Sequence, residues 1–153
     1  MSAEKIQSEN TKSKEFLIIH IGSQKFGVPV LQIQDVLGPQ SITPIPLAPR
    51  GVAGALNLRG RIVTTIDVRE SLNLKDISET SRNMSVVVEH DQELYSLVID
   101  NVGDVLDLDD SLYENNPPTL EPGLKDVSSG IYRLENELLI ILDVSKLLES
   151  VHN

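Results

Sequence analysis

The sequence predicts an all-β protein made of two five-stranded β-barrels packed pseudo-symmetrically, with short helices and a C-terminal helix, and three observations carry that prediction. Phe26 to Leu37 aligns without a gap on Tyr95 to Leu106 at a constant spacing of 69, keeping the aromatic, the apolar positions and one Asp. Gly54 to Val68 aligns on Gly130 to Val144 at a spacing of 76, so that Ile66-Asp67-Val68 meets Leu142-Asp143-Val144. Many short apolar runs, separated at regular intervals by turn residues, are the pattern of small barrels and sandwiches. Two long copies do not make a solenoid, which needs at least three short repeats to close a continuous core.

Residues 1–14 are polar, dominated by Ser, Glu, Asn and Lys, and are expected to form a disordered tail because they bury too little apolar area to offset their ordering entropy. Phe16 to Ile21 reads as a buried strand, Gly22 to Lys25 as a turn, and Phe26 to Val30 as the returning strand, with Pro29 predicting an edge position. Gln32 to Leu37 alternates, with Ile33 and Val36 as its expected buried members in a turn leading to a further strand. Ser41 to Arg50 holds three prolines and is expected to be a loop or extended edge. Gly51–Leu58 and Ile62–Ile66 form a hairpin across Arg59-Gly60, and Asp67 caps a short helix. The polar run Lys75 to Arg82 is the expected joint, which puts the first barrel at about 15–75 and the second at about 84–143.

In the second copy Val86-Val87-Val88 and Leu94–Ile99 flank a turn at Asp91-Gln92, followed by an acidic stretch through Asp110 and a proline-rich loop at Pro117-Pro118. Ile131–Leu134 pairs with Leu138–Leu142, and Asp143 caps a helix over 145–150.

At 153 residues the chain is long enough to build a core unaided. Its formal net charge of -10 argues against nucleic acid, whose binding is driven by Lys and Arg displacing counterions, and against anionic membrane surfaces. Aromatics make up 3% of residues and Trp is absent, which disfavours sugar and single-strand binding. The absence of Cys excludes disulfides, thiolate zinc sites and a thiol nucleophile. The opening residues carry no apolar secretory core, and the longest aliphatic run, Leu138–Leu142, is too short to span a bilayer. A soluble, cytoplasmic protein is expected.

The three histidines, His20, His90 and His152, have no companions at catalytic or metal-binding spacing, and no nucleophile elbow, phosphate loop or HExxH motif is present. Asp35, Asp67, Asp104 and Asp143 raise the alternative of a metal-dependent hydrolase, since carboxylates serve as acids, bases or hard-metal ligands. Asp67 and Asp143, however, occupy matching capping positions, and Asp35 and Asp104 each precede Val-Leu; recurrence in both copies points to structural roles. The surplus aliphatics Ile33, Val36, Val102, Val105, Ile42, Ile45, Leu47 and Leu120 fit either a seam between the barrels or docking surfaces. Arg59 and Arg61 flank the Gly60 turn and are suited to a partner's carboxylates.

The run Gly54-Ala55-Leu56-Asn57-Leu58-Arg59-Gly60-Arg61-Ile62-Val63 through Ile66-Asp67-Val68-Arg69 resembles the hallmark of CheW-type chemotaxis coupling proteins. Phe26-Gly27-Val28 through Ile33-Gln34-Asp35-Val36 resembles their earlier strand-and-turn signature, and the likeness extends from about Glu15 to Ser150. The resemblance implies two SH3-like barrels and no catalysis or cofactor. It implies an adaptor, monomeric in isolation, that bridges the cytoplasmic tips of methyl-accepting chemoreceptors to the regulatory domain of the two-component histidine kinase CheA, recruited to the inner face of the membrane without insertion.

By the same resemblance Ile33, Asp35, Val36 and Arg59 would face the kinase. Ser96, Val102 and Val105 would line the receptor groove, and Leu120 would sit at a contact linking adaptors and kinases into rings. Asp35 stands where the family commonly has Glu, and Ser96 where glycine is frequent, which is expected to narrow the groove. A generic SH3-like peptide-binding module is a further alternative, disfavoured by the scarcity of aromatics.

Overall fold

A computed structural model describes residues 13–72 and 84–152; the expected tail at 1–12 and the joint at Lys75–Arg82 lie outside the described residues. Ser13 and Lys14, read as tail, belong to the first strand. The strands are β1 (Ser13–Ile21), β2 (Gln24–Pro29), β3 (Ile33–Leu37), β4 (Val52–Leu58), β5 (Arg61–Asp67), β6 (Met84–His90), β7 (Glu93–Ile99), β8 (Asn101–Asp109), β9 (Tyr113–Glu114), β10 (Ser128–Arg133) and β11 (Leu138–Leu142). The helices are α1 (Val68–Ser71), α2 (Pro122–Lys125) and α3 (Val144–His152), and the one-turn 3-10 segments Val30–Gln32 and Asp110–Leu112 follow β2 and β8.

Two sheets form, in the orders β3-β6-β7-β5-β4 and β8-β1-β2-β11-β10-β9. Each closes the same way. The chain beyond β3 returns to β4 through the Thr43–Ala55 bridge, and the chain beyond β8 returns to β10 as the two-residue β9. A glycine lies opposite each closure: at Gly54, whose φ is +150°, a Cβ would run into the Thr43 carbonyl, and at Gly130 it would meet the end of the Tyr113 side chain packed over it. We refer to the sheet of β3 to β7 as barrel 1 and the other as barrel 2.

The duplication is real in the fold, but the barrels do not divide at 75–84. Barrel 1 takes β3, β4 and β5 from the first copy and the β6–β7 hairpin from the second; barrel 2 takes β8 to β11 from the second copy and the β1–β2 hairpin from the first. The exchange has a local cause. Asp100 alone separates β7 from β8, and one residue cannot reverse a chain whose shortest hairpin loop has two, so β8 continues into the other barrel. The seams are the parallel pairs, β5 with β7 and β2 with β11. β2 is therefore an interior strand, not an edge. Pro29 is tolerated because it ends β2 beyond the β11 pairing, which involves Phe26 and Gly27.

Alternation along the strands buries two faces. Leu17, Ile19, Ile21, Ile66, Val86, Val88, Leu97, Ile99, Ile140 and Leu142 form one cluster shared by both barrels, sealed by Val144, Leu147, Leu148 and Val151 of α3 at helical spacing. On the opposite face of barrel 2, Phe16, Ile18, Leu108, Tyr132, Leu139 and Ile141 form a second cluster. The matching positions of barrel 1 hold smaller residues, Ser85, Val87, Leu56, Val63 and Thr65, all buried. Asp67 accepts from the Arg69 and Glu70 amides at the start of α1, and Asp143 accepts from the Lys146 amide in α3, so both cap as expected.

Candidate functional site

β3 and β8 are equivalent strands, one in each barrel, and together they carry most of the residues proposed for partner contact. Val36 is 39% exposed and its counterpart Val105 is 51% exposed. Val36 was expected to be buried; it and Gln34 are exposed while Ile33, Asp35 and Leu37 lie half-buried, and a β-bulge between Ile33 and Asp35 sets Ile33 and Val36 on one face, opposite Val88 and Val86. Ile33 and its counterpart Val102 pack against the shared core. Each strand thus offers one exposed valine with an aliphatic neighbour on the same face packed into the core.

Beside Val36 the structure brings together the two charged residues of the same proposed face. Arg59 donates from Nη2 to Asp35 Oδ2 at 3.1 Å, and the other carboxylate oxygen of Asp35 accepts the Val36 amide at 2.9 Å. Arg59 occupies a left-handed conformation (φ 51°) ahead of Gly60 (φ 85°), the two-residue turn that suits the right-handed twist of a hairpin. A non-glycine residue there costs of order 1 kcal/mol or more. The guanidinium remains 79% exposed, so a partner can reach it without breaking the fold.

The corresponding hairpin of barrel 2 turns through Glu135-Asn136, with the Leu134 amide donating to the Glu137 carbonyl at 2.8 Å. Where barrel 1 presents Arg59-Gly60-Arg61, barrel 2 presents Glu135-Asn136-Glu137. Each tip is followed by an exposed aliphatic, Ile62 at 74% and Leu138 at 37%. Two architecturally equivalent surfaces therefore carry opposite charge.

Ser96 is not part of any surface. It is fully buried in β7 between Val87 of β6 and Thr65 of β5, and neither its hydroxyl nor that of Thr65 has a hydrogen-bond partner. Its counterpart is Gly27, where an added Cβ would lie 3.1–3.3 Å from Ile141, Leu139 and Phe16; the smaller neighbours in barrel 1 are what admit a serine. It narrows no groove. Leu120 packs half-buried against the shared core. Of the remaining surplus aliphatics, Ile42 is half-buried, whereas Ile45 and Leu47 are exposed.

Sequence reasoning missed a groove of about 670 Å³ on barrel 2, lined by Phe16, Pro29, Leu31, Tyr113, Tyr132 and Ile141 among others. Leu31 stands 97% exposed at its rim. The chain has five Phe and Tyr residues, and three of them meet here, with ring centroids 5.2 Å apart for Phe16–Tyr132 and 5.6 Å for Tyr113–Tyr132. Burial in this groove raises the Tyr132 hydroxyl above its ordinary pKa. An average aromatic content hides such a concentration, and only the β1–β9–β10 arrangement reveals it.

Three of the four aspartates have separate partners, and the fourth is exposed. Asp67 and Asp143 cap helices, Asp35 holds Arg59, and Asp104 is exposed on β8. Among the described residues no three His, Cys, Asp or Glu side chains gather to hold a metal, and no helix is long and apolar enough to cross a membrane.

Residues 15–152 match the CheW-like domain family. The chain is 31% identical over 140 residues to the chemotaxis protein CheW of Klebsiella aerogenes, covering 92% of this chain and 84% of that protein. It is 24% identical over 142 residues to a probable chemotaxis protein CheW of Rhizobium etli, covering 93% and 92%. The fold superposes with a TM-score of 0.80 on the crystal structure of the scaffolding protein TtCheW from Thermoanaerobacter tengcongensis, at 25% identity, covering 89% of this chain and 92% of that one. The chain belongs to the CheW-like family, the noncatalytic scaffold proteins of chemotaxis.

Proposed function

We propose that this protein couples the cytoplasmic tips of methyl-accepting chemoreceptors to the regulatory domain of the histidine kinase CheA, in the cytoplasm and without entering the membrane. The observation that supports this most directly is the placement of Val36 and Val105 on equivalent strands of different barrels, both exposed, in barrels whose matching hairpin tips carry opposite charge. A bridging scaffold needs two faces that are separate enough to be occupied together and different enough not to accept the same partner.

The kinase face is Val36 with the Asp35–Arg59 pair, backed by Ile33. The receptor face is Val105, backed by Val102; Ser96, being buried, makes no direct contact. For the ring contact, the exposed groove of Leu31 and Tyr113 is better suited than the half-buried Leu120. Each face is modest in size, so a few apolar anchors carry the affinity, and an array strengthens it by raising effective concentration. Calorimetric titration of the kinase regulatory domain into wild type, Arg59→Ala and Val105→Asp tests the assignment: affinity falls for the first variant and holds for the second. Equal affinity for all three proteins contradicts it.

A further inference from the structure

We propose that Arg69 is a positioning residue that fixes the angle between the barrels, and with it the position of the receptor strand β8 relative to the kinase face. The proposal rests on the two-face reading above and adds to it the element that joins the faces.

Arg69 lies in α1, directly after β5 of barrel 1, and only 7% of its side chain is exposed. Its Nη1 donates to Asp100 Oδ1 at 3.0 Å, and its Nε lies 3.4 Å from Asp67 Oδ1, the cap of its own helix. Asp100 is the single residue between β7 and β8, where the chain passes from barrel 1 to barrel 2. Its other carboxylate oxygen accepts the Gly22 amide at 2.7 Å in the β1–β2 turn of barrel 2, and its own amide donates to the His20 carbonyl at 3.1 Å. One buried guanidinium thus ties barrel 1 to the crossing point, and the crossing point ties down the turn of barrel 2. Val102 and Val105 begin two residues later on the same strand.

The other crossing lacks this clamp. The residue matching Asp100 there is Leu31, 97% exposed, and the residue matching Arg69 is Ser145, whose hydroxyl lies 3.4 Å from His90 Nδ1. One corner is held by charge-assisted hydrogen bonds and the other, among the described residues, by the weaker Ser145–His90 contact, so the Arg69–Asp100 corner sets the geometry. Arginine suits the task because its planar fork fixes the directions of its donors toward both carboxylates, whereas the three rotatable donors of a lysine do not.

The chain has no Cys, so spin labels at Ile62→Cys and Leu138→Cys, on the matching hairpins of the two barrels, report the inter-barrel distance in the full chain. With the clamp intact the distance distribution is single and narrow; in Asp100→Asn and in Arg69→Lys it broadens about twofold, the cooperative thermal melt remaining. The kinase regulatory domain, whose face lies on barrel 1, still binds both variants within about twofold of wild type. An unchanged distribution in Asp100→Asn overturns the proposal. Loss of the cooperative melt in both variants overturns it too, because Arg69 would then be a determinant of folding instead of position. The distance measurement needs no partner, so failure of the kinase to bind wild type would count against the coupling reading and leave the clamp's test standing.

Discussion

Arg59 reaches across 3.1 Å to Asp35 from a left-handed backbone conformation at the tip of the β4–β5 hairpin, tying that tip to the strand that presents Val36. The pair is mostly exposed on the arginine side, so its contribution to stability is small, at most about 1 kcal/mol. Its significance is positional. Arg59→Ala is expected to leave the melting temperature nearly unchanged while weakening the kinase regulatory domain by about tenfold, read by calorimetry. Asp35→Glu in an otherwise wild-type chain should retain most of the binding, since the longer carboxylate still meets the guanidinium.

Val36 and Ile33 separate binding from folding. Val36→Asp, on an exposed side chain, should abolish kinase binding with little loss of stability. Ile33→Asp places a charge against the shared core and is expected to cost about 2–4 kcal/mol, seen as a fall in the chemical denaturation midpoint. Equal stability of the two variants would show that Ile33 does not anchor the strand to the core.

The duplication was legible from sequence because glycines, caps and aliphatic positions recur at fixed spacing, and the Asp67 and Asp143 caps followed from their place after a strand. The exchange of hairpins between the copies was not, because it depends on which strand an edge meets in space, and a repeat in sequence does not say which copy supplies the neighbour. The acidic stretch after Ile99 concealed β8: its carboxylates Asp104 and Asp107 are exposed, while Leu106 and Leu108 between and beyond them are buried to different degrees. Ser96 was misplaced for a related reason. Its face depends on the register with Thr65 and Val87, which no local pattern reveals.

Gly54 and Gly130 sit at matching closures of the two barrels but should fail unequally. Gly54→Ala would drive a methyl into the Thr43 carbonyl at a positive φ and is expected to cost about 2 kcal/mol or more, whereas Gly130→Ala meets only the far end of the Tyr113 side chain, which can swing aside, and should cost less. Gly38→Ala, in open space, serves as the control and should change stability little. Urea denaturation with a constant m-value checks both.

The buried hydroxyls of Thr65 and Ser96 leave two polar atoms without partners inside barrel 1. Replacing a buried unpaired hydroxyl with an isosteric methyl removes a desolvation penalty, so Thr65→Val is expected to be neutral or to stabilise by up to about 1 kcal/mol. A destabilisation of about 1 kcal/mol or more would mean that the hydroxyl is satisfied in solution.

Glu114 of β9 and Arg133 of β10 clasp the closure of barrel 2, with Nε to Oε2 at 3.0 Å and Nη2 to Oε1 at 3.2 Å. The hydrogen bond from Arg133 holds the Glu114 carboxyl below its ordinary range, against the opposing effect of desolvation and helped by the charge of Arg133. A folded-state pKa below the unfolded one means a contribution that is present above the ordinary glutamate range and is lost as pH falls through the folded value. The melting-temperature difference between wild type and Glu114→Gln should therefore shrink toward zero as acid is added. A difference that stays constant across that range would show that the clasp does not depend on the ionised carboxylate.

The central claim is that two different faces are occupied at once. It is tested most directly by fluorescence anisotropy of a labelled kinase regulatory domain bound to this protein while a receptor cytoplasmic fragment is titrated in. Bridging predicts that anisotropy rises further as a ternary complex forms, and that Val105→Asp abolishes the second rise only. A fall to the value of the free kinase domain, meaning that the two partners displace one another from one site, would contradict it.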